Sequence, residues 1–207
     1  MRRAAPTARI YRFVDQASQQ QVWMMRKAQS GLMQRRRGDI KPLSFIEDVA
    51  VPVKHLAAYI RDLERLAKEV DVEMTISSHA SAGCLHVTPF LSLKDPVDIQ
   101  KMRRIGEATA DLVLHYKGAL SSEHGDGIAR SWLNRHVFGD EIYEAFRELK
   151  SVFDPENRMN PGKIVDSPQI EEHLRYGPEY KTIEFHSMFD WSSDGGFVGA
   201  VEVCTGQ

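Results

Sequence analysis

Apolar positions recur along this chain at two periods, and the changes of period mark out its elements. Over residues 14–32, Val22, Met25 and Leu32 or Met33 recur at helical spacing and predict a first helix, preceded by an Arg- and Ala-rich entry without a period. Residues 45–52 form a short β-prone run that stops at Pro52. Residues 53–70 then place Leu56, Tyr59 or Ile60, Leu63 and Leu66 or Ala67 on one helical face. Thr75-Ile76-Ser77 leads into the small-residue turn Ala80-Ser81-Ala82-Gly83, and residues 85–88 return, which reads as a hairpin. The second helix of this unit is expected over residues 95–116, with Asp95 as cap and Pro96 in the first turn, followed by a last strand at 118–121. The order β-α-β-β-α-β is that of a ferredoxin-like α+β fold, with a largely antiparallel sheet and helices on one face. Helical patterns at 128–137 and 141–152, with Asp140 in a capping position, predict a C-terminal helical segment. The punctuated stretch 153–163, with two prolines and a glycine, closes it as an ordered turn, and beyond residue 165 the chain becomes polar and irregular.

Composition narrows the class. At 207 residues and 42% hydrophobic content the chain can bury a sizeable core, and no run approaches the length of a membrane-spanning helix. The net charge of −2 hides an uneven spread, because residues 1–37 carry nine Arg or Lys against one acid, Asp15. That basic leader lacks aromatic interleaving and any nucleic-acid-binding motif, so nucleic acid is not an expected partner. Two cysteines, Cys84 and Cys204, argue against a disulfide framework, and no apolar leader suggests secretion. A cytoplasmic setting is expected, with peripheral membrane association of a longer protein left open. Self-association of a piece with exposed docking faces is also left open.

The candidate chemistry centres on Ser78-His79-Ala80-Ser81-Ala82-Gly83-Cys84-Leu85-His86. A hairpin there would bring His79 and His86 together, and two imidazoles on adjacent strand ends make half of a divalent metal site. The other half is offered by Ser121-Ser122-Glu123-His124-Gly125-Asp126-Gly127, since a glycine-rich turn can aim Glu123 and His124 to the same side. Imidazole with carboxylate suits zinc, manganese or iron. Buried structural histidines and a capping carboxylate are the competing readings. His55, His115, His136, His173 and His186 have no comparable setting and are expected to face solvent or fill the core. Cys84 reads most simply as a small buried hydrophobe.

These motifs resemble the C-terminal, substrate-side domain of FAD-linked oxidases and dehydrogenases acting on D-2-hydroxy acids such as glycolate, D-lactate and D-2-hydroxyglutarate. The family's approximate patterns G-H-x-G-D-G-N-x-H, S-x-E-H-G-x-G and F-D-P-x-x-x-x-N-P-G-K appear in that order at residues 78–86, 121–127 and 153–163, and the resemblance covers roughly residues 20–165. Among the departures from the first pattern are Ser78 for glycine, Ala82 for aspartate and Cys84 for the asparagine that lies near substrate and flavin. The resemblance implies FAD, a divalent cation on His79, His86 and Glu123, and His124 as general base or fourth ligand. It also implies Arg26, in Trp23-Met24-Met25-Arg26, as clamp for the substrate carboxylate, Cys84 at a substrate-binding position, and Asn160 near the flavin. Oxidation to the 2-oxo acid would then pass hydride to the flavin. Val203-Cys204-Thr205-Gly206 looks like the opening of an iron–sulfur domain, with Cys204 as first ligand of an incomplete set.

On this reading 1–37 is a basic segment and first helix, 38–165 the substrate and metal domain, and 166–207 an irregular linker. An upstream flavin-binding domain and a downstream iron–sulfur domain of the same polypeptide would be its partners, with a small-molecule 2-hydroxy acid as substrate. The alternative is a non-catalytic assembly module that keeps the fold, which Ala82 and Cys84 favour slightly. A metal-free oxidase of phenols or alcohols is disfavoured, because it would not need two histidines and a glutamate together.

Overall fold

The computed structural model describes residues 11–183 and 186–203, and two compact units emerge, Gly38–Met188 and a smaller one formed by Met1–Arg37 with Phe189–Gln207. In the larger unit Pro52 ends the first extended run and a short 3-10 turn leads into α2, Leu56–Glu69. Its buried face, Tyr59, Leu63 and Leu66, is the one the helical period selects. α3, Pro96–His115, begins where Asp95 accepts the Val97 backbone N–H at 2.8 Å, a cap that Pro96 reinforces by fixing the first turn. Met102, Ile105, Gly106, Thr109, Ala110 and Val113 are its buried positions.

The sheet is antiparallel throughout. Strand β4, Cys84–Leu91, pairs with β3, Met74–His79, and with the two short strands β1, Lys41–Pro42, and β2, Val49–Ala50. Ala50 makes a single antiparallel bridge to Ala119, so the last strand expected at 118–121 is reduced to one pairing. The strand expected at 45–52 shortens likewise to Val49–Ala50. Pro89 does not stop β4, which runs three residues past the expected end at Thr88. Proline has no N–H to give, but its carbonyl still accepts from Leu43 at 2.9 Å. The α+β expectation holds: α2 and α3 pack with Val49, Leu85, Val87 and Leu91 into one core.

The β3–β4 turn depends on Gly83. Its φ is +73°, and a Cβ there would lie 2.0 Å from the Val51 carbonyl oxygen, whose residue donates its own N–H back to Gly83 O at 3.0 Å. Gly83→Ala is therefore expected to cost roughly 2 kcal/mol of stability, read as a lowered denaturation midpoint. An unchanged midpoint would sink this account of the turn.

Beyond the sheet, α4 spans Gly127–Ser131 and α5 Asn134–Phe153, with Gly139 non-helical at φ 77° inside α5. The two helices expected on either side of residue 139 thus appear, with the break at that glycine. The Asp140 carboxylate binds the Arg135 guanidinium. In the smaller unit, α1, Gln16–Gln34, is capped by Asp15, which accepts from Ser18 N at 2.8 Å. The tail is less irregular than expected: α6, Phe197–Glu202, forms, and the Trp191 ring meets Phe197 edge-on at 5.8 Å. No helix among the described residues is long and apolar enough to cross a membrane.

Candidate metal centre

Strand geometry explains which side chains meet. His79 pairs with Cys84 across the hairpin and His86 with Ser77, so by the two-residue period of a strand His79, Cys84 and His86 share one face of the sheet. Leu85 and Val87 point the other way, into the core. On the shared face the His79 and His86 rings meet edge-on with centroids 5.0 Å apart, and His124 stacks on His86 at 5.3 Å.

Glu123 and His124 arrive on the bend after Ala119, and the residue that holds the bend is Asp48. Its fully buried carboxylate accepts from Ser121 Oγ and Ser122 Oγ, both at 2.8 Å, and from the backbone N–H groups of Ser122 at 2.9 Å, Glu123 at 3.0 Å and His124 at 2.8 Å. Burial alone would raise the pKa of this acid. The donors from His124, Glu123, Ser122 and Ser121 outweigh burial and hold Asp48 well below the usual carboxylate range. Arg130, also buried, donates to Gly125 O and brings its guanidinium 4.0 Å from Asp48. With successive amides drawn onto one carboxylate, the chain cannot run on as a strand. This is why two neighbouring residues aim at one place.

Glu123 Oε1 lies 3.2 Å from His86 Nε2, 3.5 Å from His79 Nε2 and 3.7 Å from His124 Nε2. These separations exceed most good N–H···O hydrogen bonds and lie close to the ~3.4 Å edge of a tetrahedron with ~2.1 Å metal–ligand bonds. His79, His86 and Glu123 offer donor atoms within 4.8 Å of one another, and His124 falls in a different set, with His86 and Glu47. The donors thus suit a divalent cation held by two imidazoles and a carboxylate, with His124 beside it. His124 Nδ1 is 2.6 Å from Glu47 Oε1, a hydrogen-bond length unlike the other three.

Cys84 lies on this face, buried, its Sγ 3.2 Å from Ser122 Oγ and 3.7 Å from Glu123 Oε1. Burial first, then the charges of Glu123 and Asp48, push the thiol above its ordinary pKa against the pull of Ser122, so it stays protonated at neutral pH. Arg26 belongs to the smaller unit, exposed on α1, where it reaches Gln29 Oε1 at 3.5 Å. Asn160 occupies the turn after α5 with φ +46°. That turn is organised by Asp154, which accepts from Arg158 N at 2.8 Å and Met159 N at 2.9 Å, and it is tied to α4 by Ile164 N donating to Ser131 Oγ at 2.9 Å. Cys204 lies outside the described residues. Glu47 and Asp48 received no role from the sequence, although two adjacent acids inside an apolar run before Pro52 were a signal that something there must satisfy them.

The family model described as "FAD linked oxidases, C-terminal domain" matches residues 1–164. The chain is 41% identical over 143 residues to a D-2-hydroxyglutarate dehydrogenase of Pseudomonas putida, covering 69% of this chain and 14% of that protein. It is 37% identical over 160 residues to a protein of the same name from Haemophilus influenzae, covering 77% of this chain and 16% of that one. It is also similar to the glycolate oxidase subunit GlcD of Escherichia coli, at 26% identity over 165 residues, covering 79% of this chain and 32% of that subunit. The chain thus spans about a sixth of the length of the dehydrogenases it matches.

Proposed function

Because the chain belongs to the family of FAD-linked oxidase C-terminal domains, we propose that it forms the substrate-side, cation-holding part of a flavin-dependent dehydrogenase that oxidises a D-2-hydroxy acid to the 2-oxo acid. The observation that carries this reading is the single Glu123 oxygen set among three imidazole nitrogens at 3.2, 3.5 and 3.7 Å. D-2-hydroxyglutarate is the proposed substrate, because the relatives at 36–41% identity bear that name.

His79, His86 and Glu123 would hold the cation. When bound, a divalent cation lowers the pKa of a coordinated hydroxyl, and the flavin accepts hydride. His124 takes the hydroxyl proton at Nε2, the nitrogen on the Glu123 side. Arg26 would grip the substrate carboxylate with two parallel hydrogen bonds, and Asn160 would face the flavin. Cys84, protonated and behind Glu123, bounds the site on the sheet side rather than acting as a nucleophile. Cys204 would begin the ligand set of an iron–sulfur cluster that carries the electrons away, the rest of which lies in another part of the polypeptide, as does the flavin-binding domain.

In the full-length flavoprotein containing this chain, His124→Gln is expected to lower kcat on D-2-hydroxyglutarate about a hundredfold, with cation and flavin content unchanged. Undiminished turnover in that variant would remove His124 as the base. A wild-type protein inert toward D-2-hydroxyglutarate, D-lactate and glycolate alike would overturn the whole reading.

A further inference from the structure

Two kinds of spacing surround His124. On its Nε2 side the Glu123 oxygen stands off at 3.7 Å, whereas on its Nδ1 side Glu47 Oε1 is at 2.6 Å, the length of a strong charge-assisted hydrogen bond. An ionised carboxylate only accepts, so the ring must donate, and the hydrogen belongs on Nδ1. A neutral imidazole with its hydrogen on Nδ1 carries its lone pair on Nε2. That is the nitrogen facing the cluster.

The setting of Glu47 reinforces this. Its side chain is only 23% exposed, so water competes weakly for the contact. Asp48, the next residue, takes the backbone N–H of the same histidine at 2.8 Å. Two consecutive residues before β2 therefore hold residue 124 at both ends, the backbone through Asp48 and the ring through Glu47. Stacking on His86 at 5.3 Å with planes 13° apart sets the plane of the ring, and the Glu47 contact sets which edge faces the cluster.

We infer that Glu47 is a positioning residue for His124: by accepting the Nδ1 hydrogen it fixes the tautomer and orientation that leave Nε2 free on the substrate side. The inference rests on His124 acting as base. Glu47 does not act as a cation ligand on this view, because its near oxygen is committed to the ring hydrogen. Second-sphere carboxylates of this kind typically carry about 10- to 100-fold in function when removed.

The test compares Glu47→Ala with Glu47→Gln, whose side-chain carbonyl still accepts from Nδ1. In the full-length flavoprotein Glu47→Ala is expected to lower kcat about 10- to 100-fold, with KM and bound cation close to wild type, and Glu47→Gln to stay within about threefold. Nitrogen-15 spectra of the histidine-labelled 207-residue chain, with His124 assigned from His124→Gln, give a readout that does not require turnover. The expected signature is a protonated Nδ1 and a bare Nε2 in wild type and Glu47→Gln, shifting toward the Nε2–H form in Glu47→Ala. Wild-type kcat and an unmoved signature in Glu47→Ala would overturn the role of Glu47, and loss of bound cation in that variant would make it a ligand instead. If His124→Gln itself leaves turnover intact, it is the base assignment that fails, and the spectra still decide whether Glu47 sets the tautomer.

Discussion

The double variant His79→Ala, His86→Ala is expected to lose its divalent cation and, in the full-length flavoprotein, to lose on the order of a thousandfold or more in kcat/KM. Both donors sit on one hairpin face, their Nε2 atoms 3.5 and 3.2 Å from the same Glu123 oxygen, and removing them leaves Glu123 with His124 as its one remaining imidazole neighbour. One carboxylate and one imidazole bind transition-metal ions weakly, and at about 1.4 kcal/mol per factor of ten the forfeit of about 4 kcal/mol of charge stabilisation in the transition state amounts to roughly a thousandfold. The core positions Leu85 and Val87 lie on the opposite face and should be little disturbed, so the packing loss is confined to His86, which is 12% exposed and shares its face with the buried Cys84. Elemental analysis beside a circular dichroism melt makes the comparison: about one ion per chain in wild type and none in the variant, with similar melting. A variant that keeps its ion, or a wild type that takes none up from zinc, manganese or iron(II), would end the metal-centre reading of this chain.

Asp48→Ala is expected to destabilise the chain by about 3 kcal/mol, because it leaves two serine hydroxyls and the backbone N–H groups of Glu123 and His124 without their acceptor, while Ser122 N keeps the Asp48 carbonyl at 2.9 Å. Asp48→Asn keeps one acceptor oxygen but turns an amide N–H2 toward other donors, so roughly 2 kcal/mol is expected there. The pH dependence has a definite sign. Since folding depresses the pKa of Asp48, its stabilising contribution is complete above the ordinary carboxylate range and drains away as pH falls through that range toward the folded value. Chemical denaturation at pH 7 and again near pH 3 should show the gap between wild type and Asp48→Ala narrowing at the lower pH. A gap under about 1 kcal/mol at pH 7 would mean that the carboxylate is not what holds the bend.

Much of this was legible from periods and punctuation. Helix α3 announced itself through Asp95-Pro96 and its apolar spacing, and the hairpin through a small-residue turn between β-prone runs. The meeting of His79 with His86 followed from that hairpin. What stayed hidden was the support. Residues 45–52 and 118–121 have the composition of paired strands, yet Asp48 diverts the second of them by gathering the amides of residues 122–124, and only Ala50 and Ala119 are left to pair. A one-dimensional pattern carries no information about which distant amides a buried acid will satisfy. Glu47 was invisible for the same reason, since its partner lies 77 residues away. The returning strand runs on past residue 88 through Pro89, because a proline ends a strand only where its missing donor or its ring is intolerable.

The two imidazoles of the hairpin are not equivalent, and the difference bears on rates rather than on affinity. His86 is 12% exposed, packed between the other two rings, whereas His79 ends its strand and is 53% exposed. An ion exchanging with solvent would do so past His79, the exposed side of the site. Exchange kinetics would therefore be governed by how readily the outer imidazole swings aside, with the inner ring and Glu123 acting as the seat. A chelator would strip such a site at a speed set by one exposed side chain, and a substitution at that position would alter the lifetime of the bound ion more than one made at the buried end of the same strand pair.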